Sequence, residues 1–220
     1  MSDPFEIVRV PGARALEELQ LLAKQGRGYP VLVGDEEDLQ RLLEGYGYNK
    51  GGTDELLREA ERIDALAWLK ERALSEEEYY EEMHGEWPEG VAPSNDFSGH
   101  TTLRTGQPLP EVCIALLPVQ QSWQVPCALR YGGWNECPFA PEHASLMRLW
   151  EEKYGARVVT ISGDTIEMSV QRPPATREEA MALARQQYVY CADIVQQGTE
   201  TIEALAATLL DGHAWFFWWD

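Results

Sequence analysis

The chain has 220 residues, with 18 Lys and Arg against 37 Asp and Glu, and a formal net charge of −19. That length fits one large domain or two small ones. The 44% hydrophobic and 25% charged content is an ordinary globular balance that excludes wholesale disorder. So negative a field repels phosphate backbones and anionic lipid. It excludes ordinary nucleic-acid binding and membrane docking, and leaves a basic protein partner, a cation, or no partner at all.

Residues 1–6 are acidic and have neither the basic start nor the apolar run of a secretory signal. No stretch approaches the ~18 apolar residues of a membrane span; the strongest candidate is 204–210. The four cysteines, Cys113, Cys127, Cys137 and Cys191, are scattered, with no C-x-x-C pair and no histidine at zinc-finger spacing. Free thiols in a reducing cytoplasm are expected, with no metal and no cofactor.

Leu16, Leu19, Leu22 and Ala23 fall at helical spacing and predict a helix over 13–23 that Gly26 stops. The apolar run 29–34 predicts a short strand. Asp35 then caps a helix through Leu43, its carboxylate accepting the orphan N–H groups of the first turn. Glycines make 45–52 a loop. From Thr53, Leu56, Ala60, Ile63 and Ala67 form one stripe that predicts the longest helix, running past Trp68. Ser75 and Glu78 spell a capping box for a further short helix, whose acidic run, 76–82, reads first as a solvated face and second as a protein-binding patch.

Periodicity disappears from His84 to Pro110, where four prolines and several glycines fall. A structureless stretch of that length suggests a boundary, giving a mostly helical acidic region over 1–83, a loop or linker over 84–107, and a second domain over 108–220. Residues 1–90 carry 10 basic and 22 acidic residues (−12), and 91–220 carry 8 and 15 (−7), so the first part is the more acidic.

In the second half, 111–117 is an apolar run suited to a buried strand, and 123–131 a second, irregular one, because Pro126 removes a ladder donor. Pro141 suits a helix start. His143, Met147, Trp150 and Tyr154 share a face of that helix, and Gly155 ends it. Residues 157–162 and 165–171 alternate around Gly163-Asp164 and predict a hairpin, with Val159 and Ile161 on one face of its first strand and Ile166, Met168 and Val170 on one face of its second. Thr176 and Glu179 open a helix striped by Ala180, Ala184, Tyr188, Cys191 and Val195 that Gly198 ends, and a shorter helix precedes Gly212. The run Trp215-Phe216-Phe217-Trp218-Trp219 puts aromatics on both faces of a strand. Each ring buries roughly 150–250 Å², more than a monomer leaves wet. The run is therefore a central strand covered on both sides, the reading we adopt, or else a self-association surface. The whole predicts an α+β fold, a mixed sheet packed by about three helices over 108–220.

Several motifs of this half occur together. They are Gly132-Gly133-Trp134-Asn135-Glu136-Cys137-Pro138, Trp150-x3-Tyr154-Gly155-Ala156, Asp164-x2-Glu167, Arg172-Pro173-Pro174, Tyr190-Cys191-x-Asp193-Ile194-Val195-x-Gln197-Gly198, and Trp215-x-Phe217-Trp218-Trp219-Asp220. In order and spacing, residues 108–220 resemble the bacterial domain-of-unknown-function family 4253. The resemblance implies a bacterial, cytosolic protein and brings no activity with it; nothing comparable covers 1–107.

Two constellations are candidates for chemistry. Cys137, beside a helix start whose dipole lowers a thiol pKa, is a candidate nucleophile with His143 as base; the alternative is a small residue bracing a turn. Asp164, Glu167 and Asp193 are a candidate carboxylate cluster for a cation or for acid–base work. Against this, Asp164 suits the hairpin turn by itself and Glu167 reads as a solvated strand residue. Asp193 near a helix end conflicts with the macrodipole and calls for a partner: Arg172, Arg157, a backbone donor, or a ligand. Trp134 with Asn135 forms a candidate recognition pair, and Gln197, Trp218 and Asp220 complete the binding candidates with Asp193; Asp220 reads first as the end of a strand in water. Three function classes follow: an acidic interaction module for a basic protein partner, of which an immunity or antitoxin-like inhibitor is one form; an enzyme using Cys137 or the carboxylates; and a self-associating protein. The first is preferred, as a monomer or weak homo-oligomer.

Overall fold

The computed structural model describes residues 5–75, 81–102 and 104–220. The first four residues and the acidic stretch 76–80, with the capping box expected at Ser75 and Glu78, lie outside the described residues. The fold is α+β. Six strands, β1 (Glu6–Val10), β2 (Tyr29–Gly34), β3 (Val112–Leu117), β4 (Arg157–Ile161), β5 (Thr165–Ser169) and β6 (Ala214–Trp218), form one sheet in the order β1-β3-β2-β4-β5-β6. The β2–β4 pair is parallel and the other pairs are antiparallel. The eight α-helices among the described residues are α1 (Ala15–Gln25), α2 (Glu36–Gly45), α3 (Thr53–Ala60), α4 (Ala65–Ser75), α5 (Val125–Leu129), α6 (Ala140–Tyr154), α7 (Arg177–Tyr190) and α8 (Ile202–Leu209).

Local chemistry sets most of these boundaries. Asp35 accepts from the Glu37 and Asp38 amides while Asp38 answers to the Asp35 amide, so α2 opens on a reciprocal cap. Gly26 and Gly155 take left-handed conformations that end α1 and α6. Thr176 Oγ1 accepts the Glu179 amide and Glu179 holds the Ala175 amide, which starts α7.

The structure corrects several expectations. The stripe from Thr53 is two helices, because Asp64 accepts the Leu66 and Ala67 amides and restarts the chain as α4. The stretch 123–131 is a 3-10 turn followed by α5, where Pro126 occupies the first turn and its missing N–H costs nothing. α7 stops at Tyr190, where Cys191 turns extended and a π-helical turn, Ile194–Thr199, carries the chain on. In β4 a bulge between Val158 and Thr160 puts Val158, in place of Val159, beside Ile161 on the main core face.

That main face packs β2 to β6 against α5 to α8 and part of α2 and α4. Trp150 of α6 stacks on Phe217 at 5.7 Å and meets Tyr190 edge-on at 5.1 Å, with Trp215 and Trp219 fully buried nearby. β6 lies at the sheet's edge and not at its centre. Its inward residues Trp215, Phe217 and Trp219 are covered, whereas Phe216 on the second face is 42% exposed and Trp218 is half-buried. Edge placement, therefore, leaves one face of the aromatic run partly wet.

The second face changes character along the register. Val10, Leu32, Val112 and Ile114 pack under α1 at the β1-β3-β2 end, while Thr160 and Glu167 follow toward β6. The proline-rich segment crosses this polar end as a belt. Gly85 and His84 bond Glu203 of α8, Ser94 links the Thr208 carbonyl to the Ala214 amide, Ser98 and Gly99 reach Glu167, and Leu109 accepts the Gly12 amide. Gly99 passes so close that a Cβ there would sit 2.4 Å from Thr160 Cγ2. Strands from before and after the belt alternate in one sheet, so it crosses a shared fold.

Candidate functional site

Two places gather the side chains singled out above. The first is the loop 130–139. Asn49, from the glycine-rich loop after α2, clamps it: Nδ2 donates to the carbonyls of Arg130, Tyr131 and Gly132, and Oδ1 accepts the Ala140 amide that opens α6. Gly132 turns at φ +90°, and a Cβ there would meet the Pro138 carbonyl at 1.9 Å, so only glycine serves. The turn sets Cys137 Sγ 3.4 Å from His143 Nε2, and His143 Nδ1 lies 2.5 Å from the Tyr190 hydroxyl.

The geometry is that of a thiol, an imidazole and an orienting hydroxyl, but the electrostatics oppose nucleophilic use. His143 is fully buried, and burial, helped by the Arg72 cation and opposed by the Pro138 carbonyl, lowers its pKa to about 3. Burial also pushes the Cys137 thiol well above its ordinary value, opposite to the helix-start expectation. Cys191 is pushed up to about 12 by the same cause. At neutral pH both Cys137 and His143 are uncharged, and their ring and thiol contacts fill the core with Tyr131, Tyr190 and Trp219 around them.

Trp134 and Asn135 part company. Trp134 is half-buried, edge-on to Tyr131 at 5.0 Å and facing Tyr48, beside a cavity of about 220 Å³ that Arg41 and Arg130 also line. Asn135 Nδ2 donates to the Asp220 carbonyl. Asp193 answers the call for a partner through the backbone: its Oδ2 accepts the Asp220 amide at 3.1 Å and its Oδ1 accepts Gln197 Nε2 at 3.0 Å. Arg172, one of the expected partners, donates instead to the Glu152 and Lys153 carbonyls at the end of α6.

The second place is a cavity of about 540 Å³ that runs from the β4–β5 turn along β6 to α8. It brings together Asp164, Asp193, Gln197 and Trp218 of the expected residues, with Thr160, Gln187, Trp215 and Phe216. Glu167 is not solvated as expected. It is 2% exposed and accepts the Ser98 amide and hydroxyl and the Gly99 amide at 2.6, 2.7 and 3.1 Å, which spends the carboxylate on holding the belt. Among the described residues no group of three or more His, Cys, Asp or Glu could hold a metal ion. Asn49, Thr160 and Gln187 escaped the sequence reading, and Tyr190 entered it only as part of a family motif. Asn49 lies in a glycine-rich loop where Asn is unremarkable, and the others fall on regular elements where polarity at a buried position is visible only once the packing is known.

Residues 113–220 match the model of a family described as a domain of unknown function, DUF4253. No curated protein and no solved structure matches the chain. The match starts within β3, so β1, β2, α1 to α4 and the belt lie outside it although they complete the same sheet and supply Asn49.

Proposed function

We propose that the protein is an acidic recognition module that binds a basic protein partner without transforming it, an immunity or antitoxin-like inhibitor being one form of such a module. The observation that carries this reading is the uncompensated charge. The net charge is −19, and six of the arginines, Arg9, Arg14, Arg27, Arg41, Arg72 and Arg148, are already engaged in ion pairs with the chain's own carboxylates. What faces a partner is therefore strongly negative, a field that steers a basic protein in and weakens with salt.

The alternative, an enzyme built on Cys137 or on Asp164, Glu167 and Asp193, draws on the 3.4 Å contact between Cys137 and His143. It is the weaker reading, because the thiol and imidazole are neutral and enclosed and Glu167 is committed to the belt.

The test is saturable capture of one basic protein on the immobilised full chain at about 50 mM salt, released at about 0.5 M, where screening shortens to a few ångströms. A second acidic protein of equal net charge serves as control. Capture indifferent to salt, or equal capture by the control, would refute the reading.

A further inference from the structure

The cavity along β6, at about 540 Å³, falls within the roughly 300–1,000 Å³ range of small-molecule sites, and two kinds of unmet chemistry meet in its wall. Buried in that wall are Gln187 and Trp215, each 1% exposed, and Thr160, fully buried; Gln187 Nε2, Trp215 Nε1 and Thr160 Oγ1 have no hydrogen-bond partner among the described residues. An indole N–H and a carboxamide NH₂ only donate, so both lack an acceptor oxygen. A fold that needed only packing here would hold apolar side chains of the same shape and avoid the cost of orphaned donors.

The other unmet group is negative charge. Asp164 and Asp193 are half-buried and line the same space. Asp164 accepts only the neighbouring Thr165 hydroxyl, and Asp193 accepts Gln197 and a backbone amide; neither is ion-paired among the described residues. The cavity's arginine, Arg41, is ion-paired with Asp38 and acts on Asp164 only through space. Phe216 and Trp218 add aromatic rings at the exposed side, surfaces that also favour a cation.

We infer that this cavity binds a small organic cation, an amine or guanidine that also carries a carbonyl or hydroxyl oxygen. Asp164 and Asp193 take the positive group, and the Gln187 and Trp215 donors take the oxygen. The site is distinct from the electrostatic surface proposed for a protein partner and stands or falls separately from it.

The experiment is calorimetric titration of the full chain with argininamide, which has two cationic groups and one carbonyl, and with the neutral N-acetylglutaminamide as comparison. Argininamide is expected to bind one-to-one and the neutral probe not to bind. Asp164→Asn is a clean variant, since asparagine suits the turn and the Asp164 backbone carbonyl that accepts the Trp219 amide is retained. It is expected to weaken binding about ten- to a hundredfold, the scale of a hydrogen bond to a charged group. Gln187→Leu is expected to raise the melting temperature of the free protein, by removing an orphaned donor, while weakening argininamide about tenfold. A residue with only a packing role would not produce that opposition. The inference is overturned by no saturable binding up to about 10 mM, well past the ~1 mM scale of a weak specific site. Equal binding of the neutral probe would also overturn it, as would wild-type affinity in both variants.

Discussion

His143→Phe isolates a buried group whose titration changes stability at mildly acidic pH. In the folded protein the imidazole stays neutral down to about pH 3, whereas in the unfolded chain it takes up a proton near 6.5. Between those values the unfolded state binds the extra proton, so stability falls as pH falls. One titrating group contributes about 1.4 kcal/mol per pH unit, which integrates to roughly 2–3 kcal/mol between pH 6 and pH 4. That is a large share of an ordinary stability of about 5–15 kcal/mol. Phenylalanine keeps a ring against Tyr190 and Trp219 but strips Cys137 and Tyr190 of their shared partner. The variant should be less stable than wild type by about 1–3 kcal/mol at pH 7, and this gap should close or reverse by pH 4. Urea denaturation followed by circular dichroism at pH 7, 6, 5 and 4 measures the difference, in which the many carboxylates common to both proteins cancel. Parallel loss of stability in the two proteins across that range would refute the assignment of His143 as a buried, neutral imidazole.

Three further outcomes follow from the contacts. Asn49→Ala leaves the Ala140 amide and the carbonyls of Arg130, Tyr131 and Gly132 without their side-chain partner and should cost roughly 3–5 kcal/mol in urea denaturation; Asn49→Asp, which keeps the acceptor but adds a buried charge, should be no better. Glu167→Ala should release the belt, read as faster amide hydrogen exchange at residues 94–101 with the main core still protected, and unchanged exchange there would show that the carboxylate does not hold it. All four cysteines are buried, with Cys113 pushed up to about 11 and Cys127 to about 12 by burial. Alkylation at neutral pH should therefore be slow in the native protein and complete in urea, and one fast thiol at Cys137 would restore the nucleophile reading.

The elements that sequence announces are those fixed by local chemistry. Asp35 with Asp38, Thr176 with Glu179 and Gly163-Asp164 mark α2, α7 and the β4–β5 hairpin, because caps and turns are settled by neighbours a few residues apart. Non-local pairing was hidden. Residues 6–10 carry the β-branched Ile7, Val8 and Val10 but are too few to stand as a strand alone, since their ladder partner β3 lies about a hundred residues on and only that pairing satisfies the backbone. The aromatic run shows the same limit: aromatics on both faces marked β6 as a strand with heavy burial, but an edge and a centre differ only in what flanks them. Of the candidate site, the convergence of Asp164, Asp193, Gln197 and Trp218 on one cavity had been visible only as separate motifs. The neutrality of Cys137 and His143 depends on desolvation, which a sequence does not display.

The second face of the sheet explains why the belt and the cavity occur together. Read across the register, Val8, Ile114, Leu32, Thr160, Glu167 and Phe216 form one row. Its first three members are apolar and suit an amphipathic helix, which α1 provides. A helix laid over Thr160 and Glu167 would have its interior backbone amides satisfied internally and could offer the carboxylate only those of its first turn. An irregular segment offers them mid-chain: its free Ser98 and Gly99 amides point at Glu167. Non-helical backbone in turn packs less evenly, and the cavity opens beyond Thr160, reaching Phe216 and Trp218 on this face and Gln187 and Trp215 around the sheet's edge at β6. A single buried glutamate thus sets the kind of chain that covers this end of the sheet, and that chain in turn leaves room for a ligand. Glu167→Leu should accordingly weaken argininamide binding through loss of the cavity's roof, although the glutamate itself is committed to Ser98 and Gly99; retained affinity with a released belt would show that the roof contributes nothing to the site.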